Sequence, residues 1–84
     1  MTQSVTLFGT SGCHLCDRAR EQIERYAAYA ALDLQEADVL EHYPDAPELQ
    51  ERIPFLEGAQ QEERLFWPFD AADLHHWLQA GSRP

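Results

Sequence analysis

The stretch Val5-Thr6-Leu7-Phe8-Gly9-Thr10-Ser11-Gly12-Cys13-His14-Leu15-Cys16 decides how this chain of 84 residues is read. Val5 to Phe8 is a β-branched and aromatic run that ends at a glycine, the pattern of a short buried strand. Thr10-Ser11-Gly12 reads as a tight loop. Beyond it, Leu15, Ala19, Ile23, Tyr26, Ala27 and Ala30 recur at helical spacing, with Asp17, Arg18, Glu21, Glu24 and Arg25 mostly on the other face. That periodicity predicts a helix over 13–30. The two cysteines of the chain therefore lie at a strand–loop–helix junction. Backbone N–H groups left unpaired at the helix start, together with the helix dipole, favour an anion there. A Cys13 thiolate is such an anion and is the reactive form of the thiol. Cys16, one turn into the helix, is placed to attack a mixed disulfide formed at Cys13 and release the reduced substrate. Two cysteines scattered at random would take this spacing only about once in forty placements, which weighs against a pair of inert buried thiols.

Working outward, Leu32 and Leu34 alternate with polar residues and predict a second strand over 32–36. A strand, a helix and a strand in that order imply a parallel, right-handed crossover. Residues 38–52 are interrupted by Pro44 and Pro47. Pro47 suits the first turn of a short helix, and Val39, Leu40 and Tyr43 fit a separate helical turn; both readings stay open. Pro54-Phe55-Leu56-Glu57 reads as a strand that begins on proline, where a missing N–H is tolerated. Residues 58–63 form a polar hairpin connection and 64–67 the returning strand. Asp70 is the expected N-cap of a last helix, with Asp73 three residues on, close to a capping box. Leu74, Trp77 and Leu78 supply that helix's buried stripe and Gly81 ends it. One domain over 1–84 is expected, since so short a chain cannot build two cores.

Fifteen carboxylates stand against six basic residues, all arginine, for a formal charge of −9. Phosphate binding needs clustered basic side chains, so nucleic acid and anionic membrane surfaces are excluded as partners. The absence of lysine removes Schiff-base chemistry. A solvated acidic surface is the plain account of the charge, and an acidic docking face the alternative. The N-terminal stretch has no basic segment leading into a long apolar run, and no apolar stretch is long enough to span a membrane. A cytoplasmic location is the default expectation. In a reducing compartment two cysteines serve redox or metal chemistry rather than as a staple.

The segment from Val5 to Cys16 resembles the strand–loop–CxxC segment of glutaredoxins. Arg52-Ile53-Pro54-Phe55-Leu56 is similar to the cis-proline segment of that fold. Trp67-Pro68-Phe69-Asp70 ahead of a terminal helix points to the small bacterial glutaredoxin-like family. The resemblance implies a thioredoxin-like α/β fold, βαβ, short helix, β-hairpin and helix, with a four-stranded mixed sheet flanked by helices. It implies Cys13 as nucleophile, Cys16 as resolving thiol, and a cis bond between Ile53 and Pro54. The Ile53 backbone would lie alongside a bound thiol substrate as an added strand. Arg52 would be the cation facing the groove, and Asp70 would match the family's acidic glutathione contact. The chain also departs from the pattern. Glutaredoxins usually carry Arg or Lys just ahead of the CxxC loop, where this chain has Thr10 and Ser11. They often have Gly-Gly before the last helix, where this chain has the bulky run Leu65 to Phe69. The buried acid of thioredoxins would fall near Leu7, which is apolar.

His14, between the cysteines, would as a cation stabilise the Cys13 thiolate, while Asp17 opposes it; an exposed ring with little effect is the alternative. His75 and His76 are neighbours on the last helix and diverge by about 100°, so they read as surface residues, not as joint metal ligands. His42 carries no signal. Trp67, Phe69 and Trp77 read as core, with Pro68 and Phe69 at the rim of the groove. The leading expectation is a thiol–disulfide oxidoreductase or electron carrier with no bound cofactor, acting on thiol- or disulfide-bearing proteins. Its reductant is glutathione or a reductase, with glutathione poorly anchored as co-substrate, and a monomer is expected. The competing classes are a zinc or iron–sulfur module, which would need ligands beyond one CxxC pair, and a redox-inactive protein-binding domain.

Overall fold

The computed structural model describes residues 3–26 and 31–81. Its central strand, β1 (Gln3–Gly9), is buried on both faces, because Val5 and Leu7 point into one hydrophobic cluster and Phe8 into another. Gly12, at φ +76°, turns the chain out of the strand in a backbone conformation that side chains rarely adopt. Helix α1 (His14–Arg25) follows and buries Cys16, Ala19 and Ile23. It stops short of the expected limit at residue 30. Tyr26 is extended, with its amide bonded to the Ile23 carbonyl, and its hydroxyl lies 2.8 Å from His75 Nδ1 on the last helix. Residues 27–30 lie outside the described residues.

Strand β2 (Leu32–Asp38) pairs parallel to β1, and β3 (Phe55–Gly58) pairs antiparallel to β1 on its other side. β4 (Leu65–Phe66) closes the mixed sheet in the order β2-β1-β3-β4. Both readings of the middle segment hold. Helix α2 (Val39–His42) is capped by Asp38, whose carboxylate accepts the Leu40 N–H at 2.8 Å, and α3 (Pro47–Gln50) opens on its proline. The last helix, α4 (Ala71–Gly81), starts with the expected reciprocal box. Asp73 N–H donates to the Asp70 carboxylate at 2.9 Å, and Asp70 N–H to Asp73 at 3.1 Å.

Helices α1 and α4 cover one face of the sheet around Val5, Leu7, Leu56, Phe69 and Trp77. The short helices α2 and α3 cover the other around Phe8, Val39, Leu49 and Phe55. Phe69 and Trp77 belong to the core as expected, and Trp67 packs half-buried against it. The fold is the thioredoxin-like α/β arrangement that the CxxC segment implied, with the cysteine loop at the C-terminal end of β1.

Candidate redox site

Cys13 is the N-cap of α1, and its Sγ accepts the Cys16 N–H at 3.1 Å. The two residues form a disulfide with Cα atoms 5.2 Å apart. Cys16 is buried and Cys13 half-buried, so the N-terminal sulfur is the one that solvent and substrates reach. In the reduced chain the same amide and the free N–H groups of the helix's first turn point at a Cys13 thiolate, which a charge-assisted hydrogen bond stabilises.

Gly9 is required by this packing. A Cβ at Gly9 would sit 2.5 Å from Cys16 Sγ and 3.3 Å from its Cβ. Continuing the β1–β3 register one step past Phe8↔Phe55 sets Pro54 opposite Gly9, at the disulfide end of the sheet. The Ile53–Pro54 bond is cis, as the resemblance implied, and so is Trp67–Pro68, which no feature of the sequence announced. The Trp67 N–H donates to the Pro54 carbonyl at 3.0 Å, so the two proline segments are held side by side.

The disulfide has two unlike flanks. On the β3 flank lie Ile53 and Pro54, and Arg52 spreads its guanidinium over the Phe66 ring at 3.6 Å from the ring centre. On the β2 flank a cleft of about 440 Å³ opens between the loop 9–12, the first turns of α1 and the C-terminal end of β2. His14 and both cysteines line this cleft, whereas Arg52, Ile53, Pro54 and Asp70 do not. Asp70, exposed at the start of α4, is engaged in its capping box, and the backbone N–H of Asp73 holds its carboxyl below the usual carboxylate range.

The cation that lines the cleft is Arg20, which the sequence reading passed over. It makes a paired contact with Glu36, Nη2 to Oε1 at 2.6 Å and Nε to Oε2 at 3.0 Å, and a third with Asp17 Oδ1 at 3.0 Å. Glu36 first and Asp17 second hold its guanidinium protonated well above the ordinary arginine value. The signal was available: Arg20 follows Cys16 by one helical turn, and Glu36 continues the alternation of Leu32 and Leu34 toward α1. Among the described residues no group of three or more His, Cys, Asp and Glu side chains is placed to hold a metal ion.

The family model described as a glutaredoxin-like domain (DUF836) matches residues 4–79. A solved structure from X. campestris, the structural-genomics target protein XcR50, is 30% identical, with a TM-score of 0.74 over 95% of this chain and 99% of that one. Thioredoxin 1 from the thermophilic eubacterium Thermosipho africanus TCF52B shares the fold at 20% identity, with a TM-score of 0.59 over 95% of this chain and 99% of its own. No curated protein sequence matches the chain. With its CxxC pair at disulfide distance on a thioredoxin-like sheet, the chain belongs to the glutaredoxin-like domain family.

Proposed function

We propose that the protein is a thiol–disulfide oxidoreductase that cycles the Cys13–Cys16 pair between dithiol and disulfide. The Cys13 thiolate attacks one sulfur of a substrate disulfide, the substrate S–S bond breaks, and one substrate thiolate leaves and takes a proton. The Cys16 thiolate then attacks Cys13 Sγ, the mixed disulfide breaks, and the second substrate thiol is released. Two electrons pass to the substrate, and an external thiol or dithiol returns the pair to its reduced state. Both electrons reside on sulfur, so the cycle requires no bound cofactor. The observation that carries this reading is the Cys13 sulfur at the N-cap of α1, accepting the Cys16 amide at 3.1 Å at the mouth of a cleft.

The partners of this reading are disulfide-bearing proteins together with a reductant. Glutathione is a weak candidate for either role. Its carboxylates would meet Arg20 already held by two protein carboxylates, and Arg52 already stacked on Phe66. One charge-assisted contact contributes about 1.5–3 kcal/mol, too little to fix a flexible tripeptide. Turnover of a glutathione mixed disulfide well below that of an uncharged one is the expected result, and turnover that is high and collapses in Arg52→Ala would refute it.

Alkylation of Cys13→Ser and Cys16→Ser across the pH range tests the roles. The thiol left in Cys16→Ser is expected to react with a midpoint below that of an ordinary cysteine, and the buried thiol left in Cys13→Ser more slowly. A faster Cys16 near neutrality reverses the assignment. A chain whose mass does not change by two hydrogens on reduction has no such cycle at all.

A further inference from the structure

The cleft on the β2 flank differs in charge from the sulfurs it serves. Three carboxylates, Asp17, Glu36 and Asp38, line it against a single guanidinium, Arg20. That guanidinium is spent on Asp17 and Glu36, so an entering anion meets no free cation there, while Asp38 lends one oxygen to the Leu40 amide. The whole chain carries −9, so the long-range field has the same sign as the cleft. The large apolar side chains left exposed among the described residues are Leu15 and Leu40. Each adjoins one wall of the cleft. Leu15 lies between His14 and Cys16 on α1, and Leu40 is the residue whose amide Asp38 holds.

Building on the oxidoreductase reading, we propose that this cleft receives a polypeptide segment whose reacting cysteine is flanked by Arg or Lys and by an apolar residue. The substrate class is thus a basic, disulfide-bearing protein. The chemistry is the exchange already written: Cys13 Sγ bonds to the substrate sulfur, the substrate S–S bond breaks, and Cys16 closes the cycle. The carboxylates take no part in electron transfer. They attract the cationic side chain beside the scissile disulfide and repel an anionic one, and in a confined cleft such a field raises association of the favoured charge. The apolar rim favours a polypeptide over a small amine, because Leu15 and Leu40 give it area to cover that a small amine would leave in water.

The full chain, reduced beforehand, is mixed with three disulfide-linked peptide dimers of equal length. In each the cysteine is followed by Leu and preceded by Arg, Gln or Glu. Cystamine serves as a fourth probe. Each rate is divided by the rate of the same disulfide with dithiothreitol, which removes differences between leaving thiols. The Arg dimer is expected to exceed the Glu dimer by about tenfold at low ionic strength, with the ratio shrinking as salt is added. Glu36→Gln and Asp38→Asn, the latter keeping a capping side chain, should each lower that ratio about threefold. Equal normalised rates, a ratio that salt leaves untouched, or a ratio that neither variant changes would overturn the proposal. Cystamine outpacing the Arg dimer would overturn the polypeptide assignment. If the neutral Gln dimer is not reduced at all, it is the oxidoreductase reading that fails.

Discussion

At the scale of single residues the site depends on what is missing as much as on its sulfurs. Gly9 leaves the space that Cys16 Sγ occupies, since a Cβ there would be 2.5 Å from that atom. Gly9→Ala is therefore expected to cost about 1–3 kcal/mol, the range of overpacking in a close-packed interior. The loss should be larger in the oxidised chain, where Cys16 Sγ is tied to Cys13 and cannot rotate aside, than in the reduced chain. Urea unfolding of both forms checks this, and equal losses would mean that the backbone, not the sulfur, gives way. His14 sits on the cleft wall beside Cys13, where the sequence had placed it. The roles of Cys13 and Cys16 were legible because they depend on local spacing alone. The requirement for Gly9 was not legible, because a glycine after a strand reads first as a turn, and only the packing of α1 across β1 shows which atom it admits.

At the scale of elements, two helix starts carry the site and its frame. α4 begins with the Asp70–Asp73 box. The Asp70 carboxyl is held below its ordinary value chiefly by the Asp73 backbone N–H. Because the folded value is the lower one, the stabilisation is present at neutral pH, above the unfolded carboxylate range. It is lost as the pH falls through the folded value, below about pH 4. Asp70→Ala should thus lower the thermal midpoint by a few degrees at pH 7, and the gap to the wild type should narrow in acid. A gap that is the same at pH 3 and pH 7 would show that the cap is not the origin of the loss. α1 is tied to β2 by Arg20, through Asp17 and Glu36. These groups are about a third or more exposed, so solvent screening limits the tie, and Arg20→Met is expected to cost less than about 1 kcal/mol in urea unfolding. Strands, helices and the capping box could be read from the sequence because each follows from a repeat or a side chain close in the chain. The end of α1 could not. The helical spacing runs on through Ala27 and Ala30, and what stops the helix is a contact between Tyr26 and His75, 49 residues away. The Arg20–Glu36 pair was missed for the same reason, since it joins two elements whose register only the assembled sheet defines.

At the scale of the whole molecule, one charge excess acts on stability and on substrate in opposite directions. The chain carries −9, and the outer strand β2 exposes Asp33, Gln35 and Glu36, an acidic edge that resists pairing with another sheet. Like charges about 10 Å apart repel by about 0.4 kcal/mol in water, and many such pairs are distributed over so small a surface. The core beneath them is apolar on both faces of the sheet and insensitive to screening. Raising the salt from roughly 0.02 M to 0.5 M shortens the Debye length well below the spacing of the surface charges. The urea midpoint should therefore rise, by on the order of 1 kcal/mol in unfolding free energy, since more repulsion than attraction is removed. The only strong attractions at risk are the Arg20 and Arg64 pairs, which are bonded at short range and screened least. Over the same titration the rate on an Arg-flanked disulfide should fall, because the field that draws it to the cleft is screened along with the repulsion. Stability rising while that rate falls separates the two effects within one experiment. A loss of both together would instead mean that salt disrupts the fold, and that the acidic surface contributes attractions the side-chain geometry does not contain.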